Sequence, residues 1–423
     1  MKFGMRIRLV ILLMSFVLFG AMARTEDDFR TSAGIDPEAS ALLIRDLSSG
    51  ETLVAYNAEK PLIPASIMKC VTTATLLEKR DVESRFHTKV WLTAPVRDGV
   101  VEGNIVVEGS GDPSLNSRHV AGKDICAEIV SALKEIGVRE IGGRIIYDED
   151  LWDGPAVPPS WMSGDLPHAY GTGSYALNFE DNASGSRSVP NPSAVMSTRL
   201  RSALSQGGIT LRGDDLRAGS REILVDHQSA PLDEIMRSCM MRSDNQYAEA
   251  LLRTYAVACG EKGSTEAGAS REMNYWKRHK APLEGVHIVD GSGLSRQNRV
   301  TPEFMAAVLA DRSVDPYYAS FFPLAGQEGT LRRFLAGTPL DGYVAMKTGS
   351  MKGIQCYAGY KLDDDYAPTH VIVVMLNNMT DRTKAREAVK RALMRTFVPG
   401  YADEQKTEEY DDRGNQESQG QDL

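Results

Sequence analysis

The sequence predicts an α/β domain that is split along the chain and holds a smaller inserted domain. Three observations lead to this fold class. Strand-like segments occur near both ends of the chain, a strand, helix, strand segment lies between them, and a stretch rich in Pro, Gly and Ser follows that segment. A chain of 423 residues is also long enough for two or more domains of the usual size.

The amino-terminal elements are two short strands followed by a helix. "ALLIRDLSSGETLVAYN" places strand formers around a Ser-Ser-Gly turn, and "PASIMKCVTTATLLEK" continues as a helix from about Ala65. Apolar residues go round this helix, a pattern typical of a helix buried within a domain. From about Phe86, hairpin strands around Asp98-Gly99 and an amphipathic helix that ends at Gly137 indicate a second small core.

The carboxyl-terminal elements are helices followed by strands and a closing helix. An amphipathic helix is expected near Val195 to Leu204, and two further helices join at "RSDN". "YVAMKTGSMKGIQCYAGYKL" and "HVIVVMLNNM" predict adjacent strands, and "RTKAREAVKRALMRTF" predicts the last helix. We therefore expect residues 24–85 and 223–400 to form one domain, and residues 86–222 to form the insert.

The two ends of the chain have compositions of their own. Residues 1–23 combine basic residues, an apolar run too short to span a bilayer comfortably, and the small residues "AMA", which predicts a secretory signal peptide. We therefore expect an exported protein in the periplasm or another extracytoplasmic location, soluble or peripherally associated with the wall, without a stable membrane span. Residues 401–423 are polar and acidic, which predicts a disordered tail.

Composition argues against several classes of function. The net charge of −9 is not that of a general nucleic-acid binder. The five cysteines lack C-x-x-C spacing, so neither a disulfide framework nor a zinc site is expected, although a bond between Cys239 and Cys259 stays open. The seven histidines show no H-E-x-x-H pattern, so we expect no metal and no cofactor.

Ser66 and Lys69 form the first candidate site. Residues three apart lie on one face of a helix, so a hydroxyl and an amine would stand side by side as nucleophile and base. Burial lowers the pKa of a lysine, which makes the neutral amine accessible near neutral pH. Alternatively, Lys69 reaches solvent or pairs with a carboxylate. Ser131 and Lys134 repeat the spacing on a helix with a polar side, where a lysine faces solvent.

Two further motifs complete a constellation. "RSDNQY" contains Ser243 and Asn245 at a helix junction, and "MKTGSMKG" contains a K-T-G sequence on a predicted strand. S-x-x-K, S-D-N and K-T-G in this order are known from penicillin-binding proteins and serine β-lactamases. With "GNIVVEGSGDPSL", "SYALNFEDN" and "VDGSGLSRQNRVTP", the sequence resembles the low-molecular-mass class C penicillin-binding proteins, the DacB-like D-alanyl-D-alanine carboxypeptidase/endopeptidase family.

The resemblance implies a fold and a set of roles. The expected fold is the serine β-lactamase/penicillin-binding transpeptidase-like domain, an antiparallel sheet flanked by helices. Ser66 would attack the peptide carbonyl, Lys69 would take its proton, Ser243 would shuttle a proton, and Asn245 would hydrogen-bond Lys69 and the substrate. The residues expected to bind substrate are Lys347, Thr348, Gly349 and Ser350.

The resemblance also implies the substrate and the partners. We expect a serine D-Ala-D-Ala carboxypeptidase that acts on peptidoglycan stem peptides ending in D-Ala-D-Ala and is inhibited by β-lactams. Whether it is also a D,D-endopeptidase stays open, because both activities cleave after a D-alanine carbonyl. A serine β-lactamase is one alternative, although Ser174 stands where class A enzymes carry a glutamate, and class C enzymes carry tyrosine in place of Ser243. A non-catalytic wall-binding protein on the same fold is another.

Three residues outside these motifs have structural interpretations. Asp290, in "VDGSGLS", is expected to fix a loop near the cleft, since Asp-Gly segments form turns, and a catalytic role is the alternative. Trp152 and Trp161 lie in the Pro-rich stretch, and we expect them to pack in a core, with a groove for peptidoglycan as the alternative.

Overall fold

The computed structural model of the protein describes residues 25–27, 29–217 and 219–401. The chain divides into two compact units. The first comprises Met1–Leu62, Thr301–Ser313 and Pro323–Leu423, and the second comprises Ile63–Val300 and Val314–Phe322. The predicted signal peptide lies outside the described residues, as does the predicted acidic tail after Tyr401.

The helices and strands follow the predicted order along the chain. The helices are α1 (Met68–Leu76), α2 (Ile125–Glu135), α3 (Pro192–Gln206), α4 (Leu232–Arg242), α5 (Asn245–Ala258), α6 (Thr265–Arg278), α7 (Pro302–Arg312) and α8 (Arg382–Phe397). The first strands are β1 (Ser40–Asp46), β2 (Thr52–Tyr56), β3 (His87–Leu92), β4 (Val96–Arg97), β5 (Val100–Val101), β6 (Ile105–Glu108), β7 (Glu140–Ile141) and β8 (Ile145–Asp148). The remaining strands are β9 (Ala183–Ser184), β10 (Arg187–Ser188), β11 (Thr210–Leu211), β12 (Glu222–Gln228), β13 (Val344–Met351), β14 (Ile354–Leu362) and β15 (Pro368–Leu376).

The first unit is built on an antiparallel sheet of strand order β13-β14-β15-β1-β2. Leu42 and Ile44 of β1 pack in one cluster with Val389 of α8. Ala41 and Leu43 point to the opposite face of the sheet and are equally buried, and α7 contacts β1, β14 and β15. The predicted antiparallel sheet with flanking helices is therefore confirmed.

The second unit contains the buried helix that carries Ser66 and Lys69 near its start. Every residue of α1 is buried, and α1 contacts α4, α5 and α6. The apolar sequence of α1 is explained by these contacts, since a helix covered on all sides needs no polar face. Trp276 of α6 donates a hydrogen bond to Thr75 of α1 over 2.9 Å, which satisfies a polar group inside this layer.

Two small sheets lie elsewhere in the second unit. Their strand orders are β12-β3-β6-β8 and β11-β7-β5-β4. Ile129 of α2 and Leu200 of α3 share an apolar cluster with Val90 of β3 and Ile141 of β7, so these elements have a core of their own. Because β12 pairs with β3, the first of these sheets extends to Gln228. The bounds of the inserted domain, residues 86–222, stay a prediction.

Two further observations concern membrane spans and thiols. In the described part of the chain, none of the helices combines the length and the apolar character needed to cross a membrane. All five cysteines are among the described residues, and none of them forms a disulfide, so the bond left open between Cys239 and Cys259 is not formed.

Candidate active site

The start of α1 places a serine beside a lysine. A short 3-10 turn, Ala65–Ile67, leads directly into α1, and Ala65 adopts a left-handed backbone with φ of 48°. Ser66 is partly exposed, whereas Lys69 is fully buried. Lys69 Nζ lies 3.1 Å from Ser66 Oγ, within hydrogen-bond distance. The spacing of three residues therefore brings the serine hydroxyl and the lysine amine together, and their roles as nucleophile and base stay a prediction.

Lys69 Nζ has three hydrogen-bond partners. Besides Ser66 Oγ, these are Asn245 Oδ1 at 2.7 Å and the backbone carbonyl of Ser292 at 2.7 Å. The latter two oxygens only accept hydrogen bonds, whereas a hydroxyl can donate or accept. A neutral amine has two N–H bonds and one lone pair. When the two N–H bonds are directed to Asn245 and Ser292, the lone pair is left for the hydroxyl proton of Ser66.

Burial lowers the pKa of Lys69 below its ordinary value of 10.5. Desolvation penalises the ammonium, because burial removes the water that would otherwise stabilise its charge. The electrostatic effects of Cys239, Asp244, Asp290 and Glu249 act in the opposite direction and are smaller. The surroundings of Lys69 therefore favour the neutral amine that a proton acceptor must be.

The junction between α4 and α5 supplies Asn245. Ser243 ends α4 in a left-handed conformation with φ of 59°, and Asp244 caps α5 by accepting the amide hydrogen of Tyr247 over 3.2 Å. Asn245 Nδ2 donates to the carbonyl of Tyr170 over 2.8 Å. That bond fixes the orientation of the amide, so Oδ1 faces Lys69. Ser243 is partly exposed at this junction, directly before the cap.

Asp290 holds the loop that presents the Ser292 carbonyl. Its carboxylate is fully buried and accepts from Trp161 Nε1 and from the backbone amides of Gly293 and Ser295. A fourth donor is Asn298 Nδ2 at 2.6 Å. The predicted structural role of Asp290 is therefore confirmed. Trp161 is buried as expected, and its ring also anchors this loop.

Gly293 lets the same loop pack directly on the backbone before Ser66. A Cβ atom at position 293 would lie 1.8 Å from the carbonyl oxygen of Ala65 and 2.9 Å from Met68 Cβ. The backbone of Gly293 is also left-handed, with φ of 77°. Only glycine satisfies both requirements at this position, so the loop and the start of α1 fit together closely.

The four predicted substrate-binding residues lie in the first unit. Lys347, Thr348, Gly349 and Ser350 all belong to β13, which is an edge strand of the sheet. Lys347 is buried, and its Nζ donates to the carbonyl of Thr348 over 2.7 Å. Thr348 donates to Thr330 Oγ1 over 2.8 Å, and Ser350 is exposed. The approach of β13 to Ser66 stays a prediction.

Two other predicted features can be placed in the structure. Ser131 and Lys134 of α2 are both exposed, which distinguishes this second S-x-x-K copy from the buried pair at Ser66. Trp152 is buried, as expected for a packing residue. Among the residues that the structure describes, His, Cys, Asp and Glu side chains form no group arranged to hold a metal ion.

Sequence reasoning missed two contributors to the site. The carbonyl of Ser292 binds Lys69, and the carbonyl of Tyr170 orients Asn245. Both are backbone groups, which any residue type supplies, so residue identity carries no signal for them. The only indication in the sequence was the Gly-Ser-Gly segment after Asp290, which was interpreted as a turn.

Comparison with known proteins identifies the family. Two overlapping segments, residues 30–185 and 172–396, match the model of the family described as D-Ala-D-Ala carboxypeptidase 3 (S13). A D-alanyl-D-alanine carboxypeptidase of Actinomadura sp. (strain R39) is 26% identical, over 77% of this chain and 76% of the relative. The D-alanyl-D-alanine carboxypeptidase DacB of Haemophilus influenzae is 23% identical, over 77% of this chain and 83% of the relative.

A solved structure shares the fold. The crystal structure of penicillin binding protein 4 (dacB) from Haemophilus influenzae matches with a TM-score of 0.76 at 20% identity. The match covers 87% of this chain and 98% of that structure. The fold class expected from the motifs is therefore confirmed. Because the family model spans most of the sequence, this protein belongs to the D-Ala-D-Ala carboxypeptidase 3 (S13) family.

Proposed function

We propose that this protein is a serine-type D-Ala-D-Ala carboxypeptidase that works through an acyl-enzyme on Ser66. Membership of the family supports this class of enzyme. The observation that carries the mechanism is the fully buried Lys69, whose Nζ lies 3.1 Å from Ser66 Oγ. A buried amine with two fixed acceptors and one hydroxyl partner is suited to remove the proton of that hydroxyl.

The reaction would proceed in two steps. Ser66 Oγ forms a bond to the carbonyl carbon of the penultimate D-alanine, while Lys69 Nζ takes the hydroxyl proton. The bond to the terminal D-alanine breaks, and its nitrogen receives a proton by way of Ser243. Water then hydrolyses the ester and regenerates the Ser66 hydroxyl. Asn245 holds Lys69 during both steps through its bond of 2.7 Å.

The residues of β13 would bind the anionic end of the peptide. The amine of Lys347 and the hydroxyls of Thr348 and Ser350 are donors suited to a carboxylate. The backbone amides of Ser66 and Ser350 would form the oxyanion hole, and one such donor is typically worth roughly 2.7–4 kcal/mol. β13 lies at one end of the strand order, and an extended peptide can add to the edge of a sheet as a further strand, although near the start of β13 the Met346 amide already donates to the Pro323 carbonyl over 3.2 Å.

The substrate and the location follow from the same proposal. The substrate would be the stem peptide of peptidoglycan ending in D-Ala-D-Ala, cleaved as a carboxypeptidase and in addition as a D,D-endopeptidase. A β-lactam would acylate Ser66 and stall there. The related Haemophilus influenzae protein has been solved in complex with a β-lactam. Export to the periplasm or another extracytoplasmic location would follow from the signal peptide predicted at residues 1–23.

The two alternatives are not favoured. A serine β-lactamase of class A would need a glutamate at the place of Ser174, and Asn178 is occupied by structural bonds to Tyr175, Asn182 and Asp112. A non-catalytic wall-binding protein would not need a fully buried lysine against a serine, since desolvating an amine is costly.

A fluorescent penicillin tests the acyl-enzyme. We expect the purified protein to be labelled covalently and the Ser66→Ala variant to remain unlabelled. Ser131→Ala is the matched control, because it removes the serine of the exposed S-x-x-K copy, and it should label like the wild type. An unlabelled wild type would refute the proposal. Rapid release of the label would favour the β-lactamase instead.

Digestion of purified muropeptides separates the two peptidase activities. Released D-alanine indicates the carboxypeptidase, and split cross-links indicate the endopeptidase. We expect both products from the wild type and neither from Ser66→Ala.

A further inference from the structure

Two residues of helix α5 act on Lys69. One binds its amine directly, and the other binds the loop whose carbonyl accepts from that amine. Asn245 and Glu249 are four residues apart, so both side chains lie on one face of α5. Asn245 Oδ1 accepts from Lys69 Nζ. Glu249 instead contacts the loop whose Ser292 carbonyl accepts from the same nitrogen.

Glu249 holds the backbone immediately before the Ser292 carbonyl. Its Oε1 accepts the amide hydrogens of Gly291 and Ser292 at 3.1 and 2.9 Å. Its Oε2 is 3.5 Å from Thr265 Oγ1, and the residue is fully buried. Thr72 of α1 binds the loop from another side by donating to the carbonyl of Gly291 over 2.9 Å. These contacts leave the loop little freedom to rotate the peptide after Gly291.

We infer that Glu249 is a positioning residue for acylation, which directs the Ser292 carbonyl at Lys69 Nζ and so leaves the amine lone pair for Ser66. This inference rests on the proposed function. Lys69 needs two fixed acceptors for its lone pair to have one direction, and one of the two is a backbone carbonyl. A carbonyl has no side chain to hold it. Its orientation depends on what the surrounding backbone bonds to. Asp290 accepts from the amide of Gly293 in the same peptide group, and Glu249 accepts from the two amides before it.

The electrostatics of Glu249 indicate which substitution mimics it best. Burial, together with the charge of Asp290, raises the pKa of Glu249 to about 7. The neutral form is therefore substantially populated near neutral pH. Glutamine has the same shape as that neutral form and keeps an oxygen that can accept both amide hydrogens. Alanine removes the acceptor altogether.

The test compares acylation rates of the full-length protein with fluorescent penicillin. Varying the penicillin concentration separates the binding step from the acylation step. Each rate is normalised to the fraction of protein that is labelled at the end point. We expect Glu249→Ala to slow the acylation step by roughly 10- to 100-fold, the range that a small misplacement of a reacting group produces, with little change in binding. Glu249→Gln should stay within roughly 3-fold of the wild type, since the acceptor oxygen is retained.

Glu272 offers the matched control. It is a fully buried carboxyl on α6, and its oxygens make no hydrogen bond to the 290–295 loop within the described part of the chain. Burial raises the pKa of Glu272 well above its ordinary value, so glutamine replaces a neutral group. Glu272→Gln should acylate at the rate of the wild type.

Several outcomes would overturn the inference. Glu249→Ala with an acylation rate within about twofold of the wild type would remove the positioning role. So would Glu249→Gln if it were as slow as Glu249→Ala. If the alanine variant does not fold, Glu249→Asp takes its place, since its shorter side chain keeps the carboxyl group but cannot reach both amides. An acylation rate of Glu249→Asp like that of the wild type would then refute the role. An unlabelled wild type would instead refute the proposed function.

Discussion

Replacing Asn245 by aspartate adds one charge beside Lys69 and replaces the Nδ2 donor to the Tyr170 carbonyl by an oxygen. The two side chains have the same shape, and Asn245 Oδ1 is 2.7 Å from Lys69 Nζ. An aspartate there stabilises the ammonium and so raises the pKa of Lys69. With an effective dielectric constant of about 20, unit charges about 4 Å apart interact by about 4 kcal/mol, which corresponds to about 3 pKa units. Carboxylates near cations typically produce shifts of about 1–3 units.

The shift should appear in the pH dependence of acylation. Only the neutral amine can take the proton of Ser66, so the rate falls on the acidic side of the pKa of Lys69. We expect this acidic limb to move to higher pH by about 1–3 units in Asn245→Asp. At a fixed pH below both pKa values, acylation should slow by roughly 10- to 1,000-fold. The assay is the second-order rate constant for labelling by fluorescent penicillin, measured across the pH range in which both proteins stay folded.

Asn245→Ala is the control for this experiment. It removes the acceptor without adding a charge, so its acidic limb should not move to higher pH. The new carboxylate of Asn245→Asp also repels the anionic penicillin. This repulsion lowers the labelling rate constant across the pH range but does not change the pH at which its acidic limb lies. If the acidic limb of Asn245→Asp lies at the same pH as that of the wild type, or at a lower pH, Lys69 does not act as the base.

Three further predictions concern stability. Gly293→Ala should lower the melting temperature much more than Gly208→Ala. Both glycines are left-handed, with φ of 77° and 76°, but only at Gly293 would the new Cβ meet a backbone carbonyl. Equal losses of melting temperature in the two variants would contradict this prediction. Trp161→Phe should lower the free energy of unfolding by at least about 1 kcal/mol in urea denaturation, since the buried Asp290 loses a donor at 2.8 Å. Because burial raises the pKa of Glu249 from 4.5 to about 7, the folded chain retains between these pH values a proton that the unfolded chain loses. Glu249 therefore makes the free energy of unfolding fall as the pH rises from 4.5 to about 7. Urea denaturation at a series of pH values should show a smaller fall for Glu249→Gln than for the wild type.

The sequence predicted those parts of the site that depend on local spacing. Ser66 and Lys69 are neighbours on one helix, so a separation of three residues was enough to bring them together. The burial of α1 was visible in its composition, and the exposure of Lys134 was visible in the polar side of α2. A junction between two helices was also expected at "RSDN", and the structure places it at Ser243, whose left-handed backbone ends α4.

The parts that were missed depend on contacts between distant segments. Ser292 and Lys69 are 223 positions apart, and their contact uses a carbonyl that every residue has. Glu249 was not recognised because a single acidic residue within a helix does not reveal its partners. The left-handed backbone of Ala65 was not predicted either, since alanine disfavours that region, and in the structure its carbonyl packs directly against Gly293.

Two of the three partners named for Lys69 come from far along the chain, Asn245 at a separation of 176 positions and Ser292 at 223. An unfolded polypeptide would hold none of them in place, and its lysine would titrate like any solvated side chain. Chemical competence in this protein is therefore a product of folding, and it is absent from a newly made chain. A polypeptide still in an extended state could meet its antibiotic without reacting with it, and acylation would begin only when the last of these segments closes on the helix.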